Sequence, residues 1–209
     1  VPKVDFSTVE GAIEALKSPN VATRYLAYQK LKESGDSAVG PLQAMFESET
    51  NPRMKARAFW LLGQVDSISQ DSITTALKSE NSDLRIASLR LVRLLNGPVA
   101  RLASHLASDP SPAVRREAAI ALRHLGRDDF AKKARAWGRL AATLPKGDRW
   151  YLEALGIAAD GLWDECLAAA IKGPDVVAAP GQEPKPFKLD DAVLQRLVWR
   201  SRSDDSAKA

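Results

Sequence analysis

Two histidines and a single cysteine are the side chains best suited to hold a metal or attack a substrate in this chain of 209 residues. His105 and His124 stand nineteen positions apart, and neither belongs to a His/Cys cluster of the kind that encloses a metal ion. Both read as structural or surface histidines. Cys166 lies on a predicted helix beside Asp164 and Glu165, whose charge opposes a thiolate; it reads as a small buried hydrophobe. No Gly-rich phosphate loop, Gly-x-Ser-x-Gly elbow or converging pair of carboxylates is present. The sequence therefore nominates no catalytic residue, no cofactor and no metal site.

Binding chemistry is better represented. Residues 81–140 carry twelve Lys/Arg against five Asp/Glu, a balance of +7, which leaves −3 for the rest of a chain whose net charge is +4. After Arg85 and Arg115 are set aside for a structural reason given below, Arg90, Arg93, Arg116, Arg123 and Arg127 remain as cations that could follow a phosphate backbone. A charge run on a helix is more often a solvated face. The second candidate is aromatic. Trp137, Trp150, Tyr151 and Trp163 fall within some thirty residues, flanked by Arg149 and Glu153. Large amphipathic rings beside an arginine are typical of interface anchors, and equally of a core that fills a gap.

The elements that must position these side chains are set by an octet occurring four times. The stretches are Asn20-Val-Ala-Thr-Arg-Tyr-Leu-Ala27, Asn51-Pro-Arg-Met-Lys-Ala-Arg-Ala58, Asn81-Ser-Asp-Leu-Arg-Ile-Ala-Ser88 and Ser111-Pro-Ala-Val-Arg-Arg-Glu-Ala118, in steps of 31, 30 and 30. Asn or Ser at the first position can cap a helix, and Pro52 and Pro112 suit the first helical turn, where no N–H is needed. Thr23, Met54, Leu84 and Val114 begin a stripe continued eight residues on by Leu31, Leu62, Val92 and Leu122. Those positions share a helix face. Ala27, Ala58, Ser88 and Ala118 between them allow a neighbouring helix to come close. A preceding helix is marked by Ile13/Leu16, Leu42/Met45, Ile73/Leu77 and Leu102/Leu106. Helix pairs repeating at this period predict an all-α solenoid, a superhelix of five to six stacked antiparallel pairs. A fifth unit departs from the pattern: aligned from Gly147 to Ala154, it puts Trp150 in the apolar slot and Tyr151 in place of the base. That alignment assigns Trp150 to the core and leaves Tyr151 partly exposed.

These residues resemble the HEAT family in its short form of about thirty residues per repeat. The resemblance covers roughly residues 7–171 and rests on the recurring apolar-Arg-x-x-Ala pattern. It implies a solenoid whose second helices line a concave side, and a ladder in which Arg24, Lys55, Arg85 and Arg115 bond across to the next repeat. Some HEAT-like proteins grip nucleic acid, among them a family of DNA glycosylases. A narrower resemblance comes from Asp148-Arg-Trp-Tyr-Leu-Glu-Ala-Leu-Gly-Ile-Ala-Ala-Asp160, Trp163-Asp164 and Val198-Trp199-Arg200-Ser201-Arg202. This run is similar to the HEAT-repeat region of large exported bacterial proteins that join a sugar-dehydrogenase-like propeller to a c-type cytochrome domain. Haem attachment does not carry over, because Cys166 is followed by Leu167, Ala168, Ala169 and Ala170 and the Cys-x-x-Cys-His motif is missing.

At 45% hydrophobic and 27% charged, the chain has the material for a buried core, and it lacks any run of eighteen apolar residues or a signal-peptide pattern. A start at Val1 points to processing or to a piece of something larger. Residues 1–172 read as the repeat region, 173–189 as an irregular segment with four prolines, 190–203 as a helix capped by Asp190 that completes the solenoid, and 204–209 as a frayed tail. The expected function is a non-catalytic scaffold that binds protein, either flanking domains or another polypeptide, without membrane insertion. The resemblance implies an exported or periplasmic location; without it the chain reads as cytoplasmic. Nucleic-acid binding by the basic stripe is the alternative. The candidate partner-binding residues are Arg90, Arg93, Arg116, Arg123, Arg149, Tyr151, Glu153 and Trp163.

Overall fold

The computed structural model describes residues 4–65, 68–126, 129–172 and 190–201. These residues form twelve helices and no strand. The irregular segment predicted over 173–189, the tail, and Arg127 lie outside the described residues. The chain divides into two compact units, Val1–Leu91 and Val92–Ala209.

In the first unit, α1 (Val9–Leu16) pairs with α2 (Val21–Ser34) and α3 (Asp36–Ser48) with α4 (Pro52–Gln64). Packing of α1 on α3 and of α2 on α4 sets the pairs in two layers. Gly35 alone separates α2 from α3, at φ +53°, a left-handed value that favours glycine. The stripe read from the octets is the buried one: Ala27, Leu31, Ala58 and Leu62 are all fully buried, beside Phe46 and Phe59, whose rings lie 5.4 Å apart. Small residues are needed where helices approach. At Gly63 of α4, an added Cβ would collide with the buried Leu91 side chain. Next come α5 (Gln70–Leu77) and α6 (Ser82–Leu94), within whose last turns the unit boundary falls. Ser88 of α6 is fully buried, and its hydroxyl donates to the Ile73 carbonyl of α5.

The second unit repeats the arrangement. Its helices are α7 (Val99–Leu106), α8 (Pro112–Leu122), α9 (Phe130–Ala142), α10 (Arg149–Ala159), α11 (Trp163–Lys172) and α12 (Asp191–Ser201). One layer runs α7–α9–α11 and the other α8–α10–α12, with α7 on α8 and α9 on α10 joining them. Val114, Ala118 and Leu122 are fully buried. Burying a leucine or valine completely contributes roughly 1.5–3 kcal/mol, so this stripe supplies a large part of what holds each layer together.

The connections ahead of α2, α4, α6 and α8 share one construction. The N–H of the octet's first residue is bonded by a side chain two residues upstream: Ser18 for Asn20, Glu49 for Asn51, Ser79 for Asn81 and Asp109 for Ser111. Asn20, Asn51 and Asn81 in turn accept a helix N–H with their own side chains. Ahead of α2, α6 and α8 the arginine four residues after the cap closes the turn. One guanidinium nitrogen of Arg24 bonds the carbonyls of Ser18 and Pro19, that of Arg85 bonds Ser79 and Glu80, and that of Arg115 bonds Asp109 and Pro110. These are the same two positions each time. These arginines thus clamp the unit's own connection, because a base in the first helical turn meets those outward-facing carbonyls first. Arg115 also reaches the Thr143 carbonyl of the following helix pair, at 3.4 Å. Lys55, with a single ammonium in place of the fork, lies 5.5 Å from the Phe46 ring centre.

The turn before α10 has no base of its own at that position, where Leu152 stands. The cation comes from α12. Arg196 donates to the carbonyls of Pro145 (3.0 Å) and Asp148 (3.2 Å), and one helical turn further Arg200 pairs with Glu153 at 2.7 Å, passing over Gly156. Charged hydrogen bonds of this kind contribute about 1.5–3 kcal/mol. Arg196→Ala is expected to loosen α12 by that order, seen as faster amide exchange in α12 and the first turn of α10 with α7 and α8 unchanged. Uniform exchange rates across unit 2 in the variant would show that the clamp contributes nothing.

Candidate interaction surfaces

The aromatic cluster resolves into a core half and a surface half, with two rings exchanged relative to the sequence reading. Asp148, not Gly147, is the cap of α10, its carboxylate accepting the Tyr151 N–H at 2.9 Å. The fifth octet therefore begins one residue later than its alignment on Gly147. Tyr151 falls in the apolar slot and is fully buried, while Trp150 stands 72% exposed. A shift of one residue on a helix turns a side chain by about 100°, enough to exchange core and surface. Tyr151 is accordingly withdrawn from the partner-binding set. Its hydroxyl bonds the Leu140 carbonyl at 3.1 Å and the Thr143 hydroxyl at 3.0 Å, and burial pushes its pKa up. The Arg115 guanidinium sits 5.7 Å from its ring centre. Trp137 is also fully buried, donates to the Leu155 carbonyl at 2.9 Å and meets Trp163 edge-on at 5.9 Å. Trp163 is half-buried on that contact.

Trp150 rims a hollow of about 450 Å³ between α8 and α10, lined by Ile120, Ala154 and Ile157 with Arg116 and Glu153 at its edge. Of the predicted partner-binding residues, Arg116 and Glu153 are therefore brought together, and Arg149 is exposed on the first turn of α10. Arg123 is exposed at the end of α8; Arg90 is exposed and Arg93 half-buried on α6.

Two further surfaces escaped the sequence reading. In unit 1 a groove of about 560 Å³ is lined by Val21, Tyr25 and Tyr28 of α2 and by Arg57 and Trp60 of α4, with Arg24 and Leu16 at its margin. Tyr25 is 59% exposed and Val21 70%. Arg57 is held by donating to the Leu16 carbonyl at 2.8 Å. In unit 2 a cleft of about 350 Å³ lies between α7 and α9, lined by Arg101, His105, Lys132, Arg135 and Arg139. The i, i+3 and i+7 spacing of Lys132, Arg135 and Arg139, and the i, i+4 spacing of Arg101 and His105, were the available signals.

Cys166 is fully buried, and its thiol is pushed up to about 12 chiefly by burial, against the pull of Lys133. Among the described residues no group of three or more His, Cys, Asp or Glu could hold a metal ion. Among the described residues, too, no helix is long and apolar enough to cross a membrane. Neither the models of known families nor the curated proteins yield a match to this chain.

Proposed function

We propose that the chain is a non-catalytic helical-repeat module that holds another stretch of polypeptide, its helix pairs continuing one upon the next as a HEAT-like solenoid. The observation that carries this reading is that each unit presents an apolar hollow with a large aromatic standing in solvent at its rim, Tyr25 in one and Trp150 in the other. Exposed, rigid aromatics beside arginines supply most of the energy of typical protein interfaces. Arg24, Arg85, Arg115 and Arg196, by contrast, close the module's own turns. A photo-crosslinking residue placed at position 25 or 150 in the natural host is expected to capture a polypeptide that the same residue at exposed Glu47 does not. Equal labelling from all three positions would sink the reading.

The partner is proposed to include flanking domains of a larger exported bacterial redox protein with a c-type cytochrome. Support comes from the run Asp148 to Asp160 with Trp163 and Trp199. A natural product much longer than 209 residues with a Soret band is the expected result; a colourless product of this size would remove the larger assembly. Nucleic-acid binding is kept as the second reading because of the cleft of Arg101, Arg135 and Arg139. It requires an affinity that falls steeply with salt.

A further inference from the structure

Among the surfaces, the unit 1 groove has a charge pattern that its own fold does not balance. Arg57 lines it with Trp60, and the charges acting on Arg57 are the guanidiniums of Arg24 and Arg53. Burial foremost, and then these two charges, hold the Arg57 pKa below its usual value. No carboxylate lines the groove among the described residues. Arg24 and Arg57 are fixed by carbonyl bonds to Ser18, Pro19 and Leu16, so their charge is presented rather than mobile. Arg53 is exposed on the first turn of α4.

We infer that this groove takes an acidic linear peptide, with an apolar or aromatic residue seated between Tyr25 and Trp60 and Asp or Glu side chains facing Arg57, Arg24 and Arg53. The inference rests on the polypeptide-holding function proposed above and names the chemistry of what is held. Aromatic rings beside arginines can also stack nucleic-acid bases. Residues 1–91, however, hold eleven Lys/Arg against eleven Asp/Glu, a net charge of zero that gives a long polyanion no continuous track. Two cations lining one apolar groove, with Arg53 close enough to act on Arg57, match on a neutral unit a short acidic motif instead. Charge complementarity of this sort decides which partner is accepted and how fast it arrives.

The test is selection of a random library of ten-residue peptides on the full chain, with the Tyr25→Ala protein as counter-selection. Tyr25 is largely exposed and its hydroxyl contact is to Gln29 of the same helix, so that variant keeps its fold. Enriched peptides are expected to carry one apolar or aromatic anchor flanked by Asp or Glu. They should bind the Arg53→Gln and Arg57→Gln proteins at least severalfold more weakly, and lose affinity when their acids are changed to Gln. Enrichment of peptides without acidic residues overturns the inference and leaves the polypeptide-holding function standing. Failure to enrich anything over the Tyr25→Ala protein overturns the inference, and capture from position 150 then decides the polypeptide-holding function. Tighter binding of single-stranded DNA than of any selected peptide, lost with Tyr25→Ala, replaces the peptide with nucleic acid.

Discussion

Tyr151→Ala is expected to destabilise unit 2 by about 4 kcal/mol, whereas Trp150→Ala, one residue away, is expected to cost less than about 0.5 kcal/mol. The first substitution empties a fully buried site, removes the hydroxyl bonded to Leu140 and Thr143, and uncovers the flank of Arg115, whose buried Nε has no hydrogen-bond partner among the described residues. The second removes a side chain standing in solvent. Tyr151→Phe separates the terms: it keeps the ring and loses the hydroxyl, at about 1 kcal/mol. Urea unfolding of the three variants, followed by amide exchange in α10, checks the order. Comparable losses for Trp150→Ala and Tyr151→Ala would mean that the cap at Asp148 does not set the register of α10.

The contrast also shows where sequence reading stops. Caps, helix pairs and the small positions Ala27, Ala58, Ser88 and Ala118 were legible because each follows from a local rule repeated four times. The fifth unit was misread because its connection, Pro145-Lys146-Gly147, differs from the others and moves the cap by one residue. The clamp of each arginine on its own turn was not legible for another reason. Which acceptor a guanidinium finds depends on where carbonyls point in space, and that is absent from residue spacing. The groove at Tyr25 and Trp60 was invisible for the same cause, since it joins side chains thirty-five positions apart on two helices. Arg196, forty-eight positions from the Asp148 carbonyl it bonds, could be found only once α12 was seen against α10.

The second large effect concerns Cys166. In the folded chain at pH 8 its alkylation by iodoacetamide is expected to be about a thousandfold slower than in the unfolded chain. The thiolate is the attacking species, and a rise from 9.0 to about 12 reduces its population by roughly that factor. Complete burial slows access further, so labelling then reports the opening of the α9–α11 contact. The same shift has a sign for stability. The folded state holds the thiol proton more tightly, so stability is undiminished below pH 9 and declines as the pH rises toward 12. Tyr151, also raised by burial, acts in the same direction at high pH. Cys166→Ala should therefore flatten the alkaline decline in part. Equal alkylation rates in native buffer and in 6 M guanidinium would show that the thiol is not enclosed.

The source of the Arg196 clamp orders events in time. The turns that precede α2, α6 and α8 are closed by an arginine five or six residues away, and so can form as soon as their own helix exists. The turn at Pro145 waits for a residue 51 positions later. At ordinary synthesis rates that interval is roughly 3–10 s, during which α10 packs on α8 and α9 without the clamp. A helix made some fifty residues later is thus the one that finishes a connection begun long before it.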